Sequence, residues 1–178
     1  MSHEKHRQSA PGKLGFYVIT VSSSRYAKKI KGEEFEDESG NVAGKIIDEH
    51  KYSLVGREIV SDNAELIKSA FNRSMVLKDV DVILFTGGTG LSPNDITIET
   101  IRPFFDKEIE GFGEMLRVLS FKKIGAAAIL TRATGGVVND RLVLCLPGSP
   151  NAVRTALESF ISELPHAVYI ARGRKNSA

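Results

Sequence analysis

Two glycine-containing stretches and a few carboxylates hold the residue types from which chemistry could be built. The first stretch is Thr86-Gly87-Gly88-Thr89-Gly90, followed by Asp95. Its three glycines let backbone amides approach a ligand with no Cβ in the way. Successive exposed N–H groups form an anion nest, and the threonine hydroxyls add donors. A phosphate suits such a nest, helped by the start of the next helix. A tight glycine turn satisfies the same residues. The stretch is not a P-loop, because no Gly-Lys-Ser/Thr follows, and it lacks the GxGxxG spacing of a dinucleotide fold. The second stretch is Leu146-Pro147-Gly148-Ser149-Pro150-Asn151. Gly148 and Ser149 precede an expected helix whose first amides are free to hold an anion. An ordinary Ser-Pro helix start explains them equally. The carboxylates are Asp95 and the acidic run Glu36-Asp37-Glu38. Mg²⁺ takes one or two protein carboxylates plus phosphate oxygens, so Asp37 and Asp95 are its candidate ligands. Asp37 could instead cap the helix that follows.

Other reactive residue types point nowhere. Cys145 lies inside an apolar run with no base beside it, and reads as a small core residue. His3, His6, His50 and His166 do not combine with it into a zinc spacing. No motif implies haem or flavin, and no Ser/His/Asp arrangement is visible.

Composition narrows the classes further. The 178 residues suit one domain with its own core. The formal charge is +2. The ends, 1–13 and 171–178, carry +2 and +3, which leaves 14–170 at −3. A body of that sign is no footprint for nucleic acid. One cysteine excludes an internal disulfide. No apolar run reaches membrane-spanning length, and Met1 to Lys13 lacks the apolar centre of a secretory signal. A cytoplasmic protein is expected, with flexible tails at 1–13 and 173–178 around a single domain at 14–172.

The elements that must position these residues follow from periodicity. Strands are expected at 14–22, 53–61, 80–86, 126–130 and 141–146, from short β-branched or apolar runs. Helices are expected from Gly40, from a cap at Asp62 with Glu65 in capping-box position, over 95–105, over 110–124, and from a cap at Ser149. Residues 23–37 read as a long, mobile surface loop. Alternating strands and helices give an α/β fold with a mostly parallel sheet. Ligands of such sheets bind beyond the carboxyl ends of the strands, near a topological switch point.

Together the motifs resemble the signature of the MoaB/MogA molybdopterin-binding family. They are TGGTG-x4-D leading to ITIE, EDESG at 36–40, GFGEMLR at 111–117, ILTRATGG at 129–136 and LPGSPNAV at 146–153. The resemblance spans about residues 14–170. It implies a three-layer α/β/α fold of the molybdopterin-binding-domain type, and a homo-oligomer, trimer or hexamer. It implies molybdopterin and ATP as ligands, with Mg²⁺, and transfer of AMP to the pterin's terminal phosphate with release of pyrophosphate. A binding protein of the same fold without turnover is the alternative. By motif, Thr86 to Gly90 would hold the substrate phosphate. Asp37 and Asp95 match the family's two functional aspartates. Gly148 and Ser149 match its second binding strand end, and Thr131 and Arg132 stand where Ser-Arg is common. Asn94 replaces a frequent basic residue, leaving Arg102 or Arg132 as cations that could compensate.

Overall fold

The computed structural model describes residues 10–173. Most of both expected tails, 1–9 and 174–178, lies outside the described residues. Among the described residues, six strands form one sheet: β1 (Gly15–Val21), β2 (Ser53–Val60), β3 (Val82–Thr86), β4 (Lys107–Glu108), β5 (Thr134–Val138) and β6 (Arg141–Leu146). Their spatial order is β2-β1-β3-β6-β5-β4. The first four are parallel; β5 alone is reversed, pairing antiparallel with β6 and with β4, so β4 runs in the direction of the first four.

The central strands alternate strictly between two cores, as a period of two requires. Phe16, Val18, Val82, Leu84, Leu142 and Leu144 face one side. There they meet helices α2 (Glu38–Glu49), α5 (Glu110–Ile124), α6 (Pro150–Phe160) and α7 (Leu164–Ala171). Ile19, Val21, Ile83, Phe85, Val143 and Cys145 face the other side. They meet α3 (Ala64–Met75) and the short α4 (Thr97–Ile101). Burial on both faces is why these strands read as continuous apolar runs. The expected three-layer α/β/α architecture is therefore present.

Several local expectations need correction. Residues 23–37 are not all loop: α1 (Ser23–Lys31) occupies most of them. Ser22 caps it, Gly32 ends it in the left-handed conformation, and Lys28, Lys29 and Lys31 suit its last turn. None of its residues is buried, and Tyr26, Ala27 and Ile30 make only a short apolar row among charged neighbours. The helix after β2 is capped by Asn63, whose side chain accepts from the Glu65 and Leu66 amides; Asp62 is left free for another task. The expected helix over 95–105 shrinks to α4 and one 3₁₀ turn, Arg102–Phe104. The strand expected at 126–130 is a 3₁₀ segment, Gly125–Leu130, with Ile129 and Leu130 largely exposed. The fifth sheet position belongs to Thr134–Val138 instead, where two glycines masked the strand pattern.

The sheet order reverses at β1, whose neighbours β2 and β3 lie on opposite sides. The crevice between the ends of β1 and β3 is the switch point.

Candidate active site

A cleft of about 740 Å³ opens at that switch point, within the range of small-molecule sites. Three strand ends build its floor: Val21 to Arg25 after β1, Gly87 to Gly90 after β3, and Pro147 to Ser149 after β6. Asp62 after β2 and Asp95 before α4 add carboxylates. Ser120, Lys123 and Ile124 of α5 form a wall with Ala127, Leu130, Thr131 and Arg132.

The glycine loop is shaped by close backbone approach. Gly87 has φ near +98°, and its N–H donates to the Leu146 carbonyl at 3.0 Å. Its carbonyl accepts from Thr97 Oγ1 at 2.8 Å, while the Gly88 carbonyl accepts from the Thr97 amide at 2.8 Å. Among the described residues, the Gly88, Thr89 and Gly90 amides donate to no protein acceptor. Unpaired consecutive amides are what an anion nest requires. Thr86 is fully buried and donates to the Pro147 carbonyl at 3.1 Å, so it joins two strand ends rather than lining the cleft.

At the second strand end, Ser149 caps α6 and accepts from the Ala152 amide at 3.2 Å. Gly148 packs against Gly87 so closely that a Cβ there would sit 3.0 Å from the Gly87 Cα. Arg132 donates to the Gly90 carbonyl at 2.7 Å and pairs with Glu99. It therefore pins the glycine loop to α4. Thr131 lines the cleft beside it.

The carboxylates divide differently from the sequence expectation. Asp95 is in the cleft, with Oδ2 accepting from the Ser92 amide at 2.9 Å. Asp37 is not on the cleft wall. It is buried, and caps α2 by accepting from the Gly40 amide at 3.1 Å. It also accepts from Thr20 Oγ1 at 2.8 Å and from Arg57 Nη2 at 2.7 Å. Burial raises its pKa, but the bonds from Arg57, Thr20 and Gly40 outweigh that, so the carboxyl titrates below its ordinary range. A carboxylate so occupied has little left to offer a metal. Asp62, expected from the sequence as a helix cap, instead lines the cleft. Asp62 Oδ2 accepts from the Ser23 amide at 2.9 Å and from Ser23 Oγ at 2.7 Å. A Cβ added at Gly88 would lie 2.9 Å from Asp62 Oδ1, which places that oxygen beside the glycine loop. Its position two residues after β2 was the available signal.

A pH prediction follows for Asp37. A depressed native pKa contributes stability that is present above the unfolded value, near 4, and is lost as pH falls below it. Asp37→Asn should keep the cap but leave half-buried Arg57 without its anion, costing about 2 kcal/mol at pH 7. Its acid unfolding limb should be shallower than the wild type's. Identical denaturant midpoints across pH 3–7 would refute the role.

Residues 17–166 match the family described as "Probable molybdopterin binding domain". The chain is 38% identical over 153 residues to the probable molybdopterin adenylyltransferase of Methanocaldococcus jannaschii, covering 86% of this chain and 91% of that protein. It is 40% identical over 179 residues to the molybdopterin adenylyltransferase of Pyrococcus furiosus, covering 97% and 99%. Among solved structures, the tungsten cofactor synthesizing protein MoaB from Pyrococcus furiosus is similar with a TM-score of 0.81 at 40% identity. That match covers 93% of this chain and 100% of the other. Fold, strand-end motifs and relatives agree, and the chain belongs to the molybdopterin-binding domain family.

Proposed function

We propose that this protein is a molybdopterin adenylyltransferase of molybdenum cofactor biosynthesis, moving AMP from ATP to the terminal phosphate of molybdopterin. The observation that carries the reading is the cleft itself: free glycine amides, a helix start and two carboxylates meet at the sheet's switch point. An oxygen of the pterin phosphate attacks the α-phosphorus of ATP. The bond from that phosphorus to the bridging oxygen breaks, and pyrophosphate leaves with the electron pair. The attacking phosphate is already an anion, so no side-chain nucleophile is needed. What the protein must supply is alignment and stabilisation of negative charge.

In this reading the Gly88, Thr89 and Gly90 amides and the Gly148-Ser149 helix start hold phosphate oxygens. Arg132 fixes the loop that presents them, with Thr131 beside the ligand. Asp62 and Asp95 replace the expected pair Asp37 and Asp95 as the Mg²⁺ ligands. Two carboxylates flanking an anion nest fit the ion's preference for few protein oxygens plus phosphate. Bound there, Mg²⁺ neutralises polyphosphate charge. Asp37 acts one step back, holding α2 and the end of β1 in place.

The reading includes a homo-oligomer, trimer or hexamer. Met115, Val118, Phe121 and Ile124 of α5, with Ile129 and Leu130, leave an exposed apolar surface beside the cleft. A patch of this kind marks an interface. No described helix is long and apolar enough to cross a membrane. A cytoplasmic location is part of the proposal, and suits the free thiol of Cys145.

The test is pyrophosphate release from MgATP, expected only when molybdopterin is present. Binding of molybdopterin with no pyrophosphate would leave the non-catalytic reading instead. Light scattering on the same preparation should give three or six times the 19.4 kDa chain mass. A monomer would refute the assembly.

A further inference from the structure

Among the described residues, the cleft presents three cations: Arg25, Lys123 and Arg132. Of these, Arg132 is paired with a carboxylate, and Arg25 is tied to the chain that follows its own helix. Arg25 Nε donates to the Glu36 carbonyl at 2.8 Å, and Arg132 is held between the Gly90 carbonyl and Glu99. Arg102, the other candidate substitute for a missing base at Asn94, pairs with Glu108 and is not on the cleft wall.

Lys123 differs from Arg132 and Arg102 in its partner, and from Arg25 in being tethered to the helix that starts at Ser149. Its ammonium donates to Thr155 Oγ1 at 2.9 Å, and that hydroxyl donates to the Asn151 carbonyl at 2.8 Å. The partner is neutral, and no carboxylate pairs with Lys123 among the described residues. An ammonium has three donors, so two remain for a ligand. The position is also set from two sides. On α5 the core-facing row Phe112, Leu116 and Ser120 ends at the cleft, and Lys123 is one turn beyond Ser120. On α6 its tether, Thr155, is less than two turns past the Ser149 cap. The ammonium is thus drawn toward the helix start that favours anions. A cation in the last turn of α5 suits that helix's dipole, and Lys122 would satisfy it equally. The dipole does not account for the tether to Thr155.

We propose that Lys123 is the phosphate-contacting cation of this cleft, giving its free donors to a ligand phosphate held between the glycine loop and the start of α6. This rests on the adenylyltransferase reading and deepens it. The shared chemistry is a phosphate oxygen, from either the ATP polyphosphate or the molybdopterin phosphate.

Calorimetric titration of wild type, Lys123→Ala and Lys123→Arg with MgATP and, separately, with molybdopterin tests it. Lys123→Ala should bind the relevant ligand about ten-fold more weakly, with an unchanged melting temperature and a reduced dependence on salt. Lys123→Arg should recover most of the affinity. A loss confined to MgATP assigns Lys123 to the polyphosphate; a loss confined to molybdopterin assigns it to the pterin phosphate. Equal affinities of wild type and Lys123→Ala for both ligands overturn the proposal and leave the function standing. If wild type binds neither ligand, the function and the proposal fall together.

Discussion

Asp62→Asn and Asp95→Asn are each expected to lower adenylyl transfer at least about a hundred-fold while leaving the protein folded. Asparagine keeps an oxygen that can accept from Ser23 or from the Ser92 amide, so the loop bonds survive and only the charge goes. Both carboxylates are half-buried, and changes at such positions cost about 1 kcal/mol or less when no core contact is lost. The melting temperature should therefore move by only a few degrees. Asp37→Asn supplies the contrast, because it should lose stability and retain most of its turnover once folded. Pyrophosphate release at saturating MgATP, measured beside thermal melts of all three variants, separates the assignments. Full activity in Asp62→Asn with loss in Asp37→Asn would return the metal to Asp37.

Gly87→Ala is the second large effect, and it acts on the fold. A Cβ at this position would lie 2.2 Å from the Val21 carbonyl oxygen, in a backbone conformation near φ +98°. The clashing atom belongs to the end of β1, so relief requires moving a strand rather than turning a side chain. Gly148 also approaches Gly87 closely, since a Cβ built on Gly148 would lie 3.0 Å from the Gly87 Cα. A cost of at least about 3 kcal/mol is expected, or roughly 6–12 °C in melting temperature. Molybdopterin and ATP binding should fall with it, since the same shift disturbs the amides of Gly88 to Gly90. Gly111→Ala is the control: nothing lies within 4 Å of its added Cβ, and it sits in the first turn of α5. That variant should be as stable as wild type or slightly better. Equal melting temperatures for wild type and Gly87→Ala would remove the argument.

The parts of the fold visible in the sequence are those whose signals are local. The helix at Glu110–Ile124 and the strand at Arg141–Leu146 end where periodicity placed them. The strands before Ser22 and Gly87 were plain because burial on both faces leaves only apolar residues. Helix α1 was hidden for the opposite reason: it buries nothing, and is held by its caps. The run at Ala126–Leu130 has the hydropathy of a strand, yet Ile129 and Leu130 face outward and only Ala128 is buried. Hydropathy does not distinguish a core from an interface between chains. In the site, the glycine loop and Ser149 declared themselves by composition. Asp62 and Lys123 did not, because their place in the cleft depends on which strand and helix ends the topology brings together.

The buried thiol of Cys145 offers a practical handle. Its pKa is pushed far up, first by burial, and it lies in the central strand β6 between β3 and β5. A thiol reagent can reach it only when the middle of the sheet opens. The single cysteine of the chain is thus a built-in clock for global unfolding: its labelling rate in excess reagent reports how often the core comes apart. Ligands that bind the folded protein would slow that clock in proportion to their occupancy, so affinities could be read without catalysis or an attached dye.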